Sequence, residues 1–124
     1  MIVPLLNWQR AEVVNTSKIA SYHIVFGDFN AAINAVEIGA FINQSRAIDC
    51  YAADHGPEPR YSLANAFTKN NKRICVDHIF ALPVANMYPA FINSAVVLNE
   101  PDKQSGLYAS DHFGISTTFV THNF

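Results

Sequence analysis

Tyr22-His23-Ile24-Val25-Phe26-Gly27-Asp28-Phe29-Asn30 carries the most structural information in the chain. Its first five residues are an unbroken β-prone run, the pattern of a strand buried on both faces, and Gly27 cuts that run off. Glycine tolerates backbone angles that other residues avoid, so a sharp turn there delivers Asp28 and Asn30 to the exposed tip of the strand. A carboxylate and a carboxamide two residues apart at such a tip can orient an attacking water and a phosphoryl oxygen. The same pair also makes Asx turns and helix caps routinely, and this stretch alone leaves both readings open.

Upstream, Leu6, Trp8, Ala11, Val14 and Ile19 recur loosely at helical spacing with polar residues between them, which predicts an amphipathic helix of about three turns. Downstream, Asn30 is placed to cap a second helix, with Ile33, Val36, Ala40 and Phe41 as its apolar stripe and Asn34, Glu37 and Gln44 on its wetter side. The pattern loosens after Arg46, and His55-Gly56-Pro57-Glu58-Pro59 marks a loop. A basic, Asn-rich irregular stretch follows from Thr68 to Arg73. Strand character returns from Ile74 to Leu82, with Asp77 as its one charge, and Pro83 ends it. Phe91 to Leu98 and Phe113 to Val120 read as two further strands around a polar turn at Glu100 to Gly106. Helices alternating with strands before a strand-rich end predict an α+β domain, a mixed α/β layer.

The chain has 124 residues, half of them apolar, enough for the core of one domain. A net charge of −2 with only eight Lys and Arg supplies no basic face, so duplex DNA is not favoured as a partner. Cys50 and Cys75 lack CxxC or Cys/His metal spacing and read as buried, reduced thiols, with a mutual disulfide as the alternative. Met1 to Leu6 is too short for a secretory signal. Ala81 to Leu98 is broken by Pro83, Asn86, Pro89 and Asn93 and does not suit a membrane span. The expectation is a cytoplasmic chain as given, with no transmembrane segment; a leader upstream of Met1 would change the compartment. The triplets Asn15-Thr16-Ser17 and Asn43-Gln44-Ser45 bear only on a secreted chain.

Asp77 lies between apolar residues and is costly to desolvate without a donor. A strand-end position within reach of His112 satisfies it and fixes the tautomer of the imidazole; a strand-end carboxylate facing solvent is the simpler alternative. Ser110-Asp111-His112 combines an oxygen ligand suited to Mg²⁺ with an imidazole that can act on a phosphate near neutral pH. Neighbouring side chains in extended structure point apart, so Asp111 and His112 share a site only at an irregular strand start, which Gly106 to Ser110 can provide. His23 is expected in the core, His78 facing away from Asp77 in a structural role, and His55 and His122 solvated. No pair of histidines has zinc-site spacing. Phe26, Phe29, Phe80, Phe113 and Phe119 are expected mostly in the core, with Phe29 and Phe113 close enough to shape a substrate entrance.

In order, Gly27-Asp28-Phe29-Asn30, Val76-Asp77-His78-Ile79-Phe80 and Ser110-Asp111-His112-Phe113-Gly114 resemble the second half of the endonuclease/exonuclease/phosphatase superfamily, which includes DNase I-like nucleases and neutral sphingomyelinases. The resemblance runs from Gln9 to Phe119 and takes in Arg60-Tyr61-Ser62-Leu63-Ala64-Asn65, which looks like the loop before the Asp77 strand. It implies that residues 1–124 are the C-terminal half of such a domain, half of a four-layered α/β sandwich with two mixed sheets and flanking helices. It implies Mg²⁺-dependent hydrolysis of a phosphoester, Mn²⁺ being the other suitable ion. Asp28 and Asn30 would then bind and orient nucleophile and phosphate, Asp77 would buttress His112, Asp111 would be the metal ligand or would position the metal through water, and His112 the general base or transition-state donor. Complete members run to roughly 250 residues, about one large domain, and their first half supplies an Asn, a metal-binding Glu and a further His without counterparts here. Cys75-Val76 also stands where many relatives have Arg-Ile, and Arg73-Ile74 comes two positions earlier.

The expected partners are therefore a phosphoester, with the Ala109 to Gly114 block leaning toward small phosphodiesters or phospholipid head groups, and the missing N-terminal half or a second copy of the chain. The rival expectation is a non-catalytic fragment or binding module.

Overall fold

The computed structural model describes residues 10–13, 22–63 and 73–120. Strand β1 spans Arg10–Val13 and β2 Tyr22–Asp28; helix α1 follows at Val36–Ser45, then the short β3 at Ile48–Asp49 and helix α2 at Cys50–His55. Strands β4 (Asp77–Leu82), β5 (Phe91–Val97) and β6 (Gly114–Val120) complete the described elements. They form a four-stranded sheet in the order β1-β2-β4-β3 and a two-stranded sheet of β5 and β6. The α+β class holds. Within it, the sheets expected to be mixed are antiparallel in every described pairing.

The central pair explains the layering. In the β2–β4 ladder Val25 lies opposite Phe80 and Ile24 opposite Ala81, and successive side chains of a strand leave on opposite faces. One face therefore presents Val25 and Phe80 to Ile38 and Phe41 of α1, with Phe29 and Ala47 closing the cluster. Phe80 meets Phe29 and Phe41 edge-on, with centroids 5.5 and 5.1 Å apart, the arrangement aromatic quadrupoles favour. The other face presents Ile24 and Ala81 to Cys50 of α2, with Ile92 of β5 and Phe119 of β6 packed alongside. A two-stranded sheet is marginal alone; here its apolar side rests on the larger sheet.

Several sequence expectations change. Arg10–Val13 is a strand paired with β2, not part of a helix; the rest of the expected Leu6 to Ile19 helix lies outside the described residues, as do Thr68 to Lys72 and His122. The helix after Asn30 starts only at Val36, and its N-cap is Ala35 without a side-chain cap. Asn30 instead adopts a left-handed φ of 51°, and the Ala31 carbonyl is held by His78 Nε2 at 2.7 Å, which ties the intervening segment down as a turn. Val36 is consequently 83% exposed, while Ile38 and Phe41 are buried. Nor is the β2 run buried on both faces, since Phe26 is 54% exposed. Strand β2 continues through Gly27 to Asp28, and Gly27 has φ 141°, a conformation open to glycine and strained for other residues. Both cysteines are buried and free, and burial pushes the Cys50 thiol up to about 12.

Candidate functional site

The last pair of the β2–β4 ladder is Asp28 opposite Asp77. Like charges directly across a ladder destabilise it, so the pair needs a compensating group, and His112 lies beside both. Its Nδ1 is 2.7 Å from Asp77 Oδ2, and its Nε2 is 4.0 Å from Asp28 Oδ2. A carboxylate accepts and does not donate, so Nδ1 carries the proton and the neutral ring keeps its lone pair on Nε2. The hydrogen bond to Asp77 is the main cause that raises the His112 pKa; partial burial opposes it, and the charges of Asp77, Asp28 and Asp111 add to the rise.

His112 reaches this position because β6 begins late. Ser110 Oγ accepts the His112 N–H at 3.1 Å, forming a tight turn before Gly114. A Cβ on Gly114 would sit 2.9 Å from Val97 Cγ2, so the absence of a side chain lets the turn press against β5. Asp28 is shaped in a related way: its Oδ1 accepts the Asn30 N–H at 2.8 Å, an Asx contact that sets the left-handed bend. The turn-forming reading of Asp28 and Asn30 is thus realised, and Asp28 also faces the histidine.

Asp28, Asp77 and His112 each offer a ligand atom within 4.8 Å of the others, a group that can hold a metal ion. Asp111 is outside that group; it is exposed, and its Oδ1 accepts from Ser110 Oγ at 3.2 Å. Asn30 is exposed beside Asp28. A cavity of about 180 Å³ opens at the cluster, lined by Phe26, Asp28, Asp77, Phe113, Gly114 and Ile115 among others. Phe113 therefore borders the site as expected, whereas Phe29 is buried in the core and Phe26 takes the position expected of it. A larger cavity of about 530 Å³ lies between Ile33, Pro57, Tyr61 and Cys75. It contains none of the three clustered residues; Asp49, Glu58, Arg60 and Arg73 are the charged residues that line it.

Three sets of contacts escaped the sequence reading, which gives His78 only a structural role. Arg60 and Asp49 form a buried ion pair, Nη2 to Oδ2 at 2.6 Å. His78 is 1% exposed, and its Nδ1 lies 3.2 Å from Arg60 Nη2. His55, expected to be solvated, stacks on Tyr51 with centroids 4.3 Å apart and bridges α2 to the Ser94 carbonyl of β5 at 2.5 Å. Only the Asp49-x₁₀-Arg60 charge pair left a signal in the sequence, and no periodicity links residues so far apart. No helix among the described residues is long and apolar enough to cross a membrane. Comparison with family models, with curated proteins and with solved structures returned no match to this chain.

Proposed function

We propose that the Asp28, Asp77 and His112 cluster is the acid–base part of a divalent-metal-dependent phosphoester hydrolase site, and that the chain is the C-terminal half of an endonuclease/exonuclease/phosphatase-type domain. The observation that carries this reading is the Asp77–His112 hydrogen bond of 2.7 Å at an open cavity. A carboxylate that fixes Nδ1–H leaves Nε2 as the working atom, able to accept a proton from water or to hold one against a leaving oxygen. Nε2 faces Asp28 at 4.0 Å, and Phe26 and Phe113 border the cavity beside that carboxylate.

The donor set also bears on the metal. Asp77 is engaged by His112, so the carboxylate of the cluster left open to a hard cation is the exposed Asp28; Mg²⁺ is commonly held by one or two carboxylates together with waters and substrate phosphate. Mn²⁺ accepts the same oxygen donors and tolerates imidazole better. A bound ion supplies positive charge against the phosphoryl oxygens. The resemblance assigns a further metal-binding Glu to the half that would precede this chain, so on this reading residues 1–124 bind the ion weakly when isolated.

The test is hydrolysis of bis-p-nitrophenyl phosphate with and without Mg²⁺, by the chain alone and by the chain extended with an N-terminal half that carries the Glu. Metal-dependent turnover that appears in the extended protein and disappears with His112→Ala supports the reading. An extended, folded protein without turnover on any phosphomonoester or phosphodiester refutes it and favours a binding module. Among substrates, the exposed Phe26 and the low basic charge favour small phosphodiesters or phospholipid head groups over duplex DNA.

A further inference from the structure

Ser62 is 0% exposed, although it lies in an irregular segment with no helix or long strand to demand a small polar residue. Its hydroxyl oxygen accepts two backbone donors from the start of the Asp77 strand, the Val76 N–H at 3.0 Å and the Asp77 N–H at 3.3 Å. Its backbone carbonyl accepts the Phe113 N–H at 2.7 Å, and its own N–H donates to the Ile74 carbonyl at 3.0 Å. A hydroxyl has two acceptor lone pairs, and both contacts fall on groups beside one member of the dyad. The carbonyl contact falls on the residue next to the other member. Ser62 is therefore where the chain measures the distance between Asp77 and His112.

We infer that Ser62 is a positioning residue for the Asp77–His112 pair: its side chain fixes the backbone that carries the carboxylate and its main chain fixes the turn that carries the imidazole. Each tie acts on a separate sheet, because Asp77 begins β4 and Phe113 precedes β6. Val76 is buried, so its N–H has no ready recourse to water when the hydroxyl is removed, and the strand must shift to find another acceptor. A shift of a fraction of an ångström is enough to lengthen a 2.7 Å hydrogen bond beyond the useful range. Ser62 matters for catalysis only on the phosphoesterase reading above; its hold on the pair is a matter of geometry and can be tested without turnover.

The test reads the tautomer of the neutral His112 ring by long-range ¹H–¹⁵N correlation. In the unsubstituted chain His112 should be the Nδ1–H form, and Asp77→Asn should abolish that preference. Ser62→Ala should lose most of the Nδ1–H population, while Ser62→Thr, which keeps the hydroxyl, should retain it. A folded Ser62→Ala protein with His112 still fully Nδ1–H overturns the inference. Should Ser62→Ala not fold, amide exchange in the unsubstituted chain decides: Val76, Asp77 and Phe113 must exchange more slowly than the exposed loop amide of Lys103, and exchange at the loop rate overturns the inference. Absence of phosphoester turnover alongside the expected tautomer pattern refutes the enzymatic reading alone.

Discussion

His78 follows Asp77 in β4, and His112 touches Asp77 from the turn that precedes β6, yet the two imidazoles are held in opposite ways. His78 is buried, and both of its nitrogens are committed: Nε2–H donates to the Ala31 carbonyl and Nδ1 accepts from Arg60. Because one partner only accepts and the other only donates, the ring is fixed as a single neutral tautomer, and burial is the leading cause that lowers its pKa. His112 commits one nitrogen, stays partly open to solvent, and has its pKa raised. The alternation of side chains along one strand thus separates a histidine that holds structure from a carboxylate that orients a second, partly exposed histidine. Partner chemistry, more than residue type, decides which imidazole can exchange a proton.

The largest expected effect falls on the reactive member of this comparison. On the proposed phosphoesterase reading, Asp77→Asn or His112→Ala in the N-terminally extended protein should lower kcat for metal-supported phosphodiester hydrolysis about 10²- to 10⁴-fold, the range for losing a positioned general acid or base. KM should move far less, and the fold should survive by circular dichroism. A His78 variant that proved equally damaging to kcat at unchanged stability would break the comparison.

Next comes stability at the buried member. His78→Phe leaves the Ala31 carbonyl and an Arg60 N–H without partners inside the fold, at a cost of about 3 kcal/mol by urea unfolding. Arg60→Met should act through the same cluster, because it strands the Asp49 carboxylate. Substitutions at His112, which is partly exposed, should lower the urea midpoint by much less, sharpening the contrast.

The two histidines should also pull stability in opposite directions with pH. His112, with its raised folded-state pKa, contributes stability that is complete below the unfolded value near 6.5 and is lost as pH rises through the folded value. His78, with its lowered folded-state pKa, contributes stability that is present above the unfolded value and lost as pH falls through the folded one. Unfolding followed from acid to mildly alkaline pH should show the first slope shrink in Asp77→Asn, where the Asp28 and Asp111 charges remain, and the second vanish in His78→Phe. The smallest effect is expected at His55, where Nδ1 faces Glu58 at 3.3 Å and Nε2 faces Asp54 at 3.2 Å. Its pKa is raised chiefly by the hydrogen bond to the Ser94 carbonyl, so Glu58→Gln should bring its NMR titration only part of the way down.

The sequence made the strands legible where apolar β-prone residues clustered, as in β2 and β4, and where Ser and Thr alternated with apolar residues, as in β6. It also made legible the meeting of Asp77 with His112, because a carboxylate inside an apolar run demands a partner. Arg10–Val13 was misread because a four-residue strand leaves little period-two signal, and helical spacing in its neighbourhood outweighed it. The start of α1 was misread because the contact that holds Ala31 out of the helix comes from His78, 47 positions away. Phe26 was misread because a hydrophobic strand residue carries no mark of whether the opposing layer reaches it. Ser62 was passed over for a similar reason: a lone serine in a loop has no periodicity, and its value comes from groups that only the folded chain gathers.

The two-stranded sheet of β5 and β6 brings one further consequence. It rests on the larger sheet through Ile92 and Phe119, and the Asp54 carboxylate pins it by accepting the Ser94 N–H at 2.8 Å. The seam between the sheets can therefore open as a sub-global unit, at less cost than complete unfolding. A molecule that touches Asp28 on one side and His112 on the other binds only the closed seam, so it must raise the opening free energy by RT ln(1 + [L]/Kd). Slowed amide exchange along Gly114–Val120 then becomes a ligand screen that needs neither turnover nor a labelled substrate, and it ranks compounds by how firmly they staple the two sheets together.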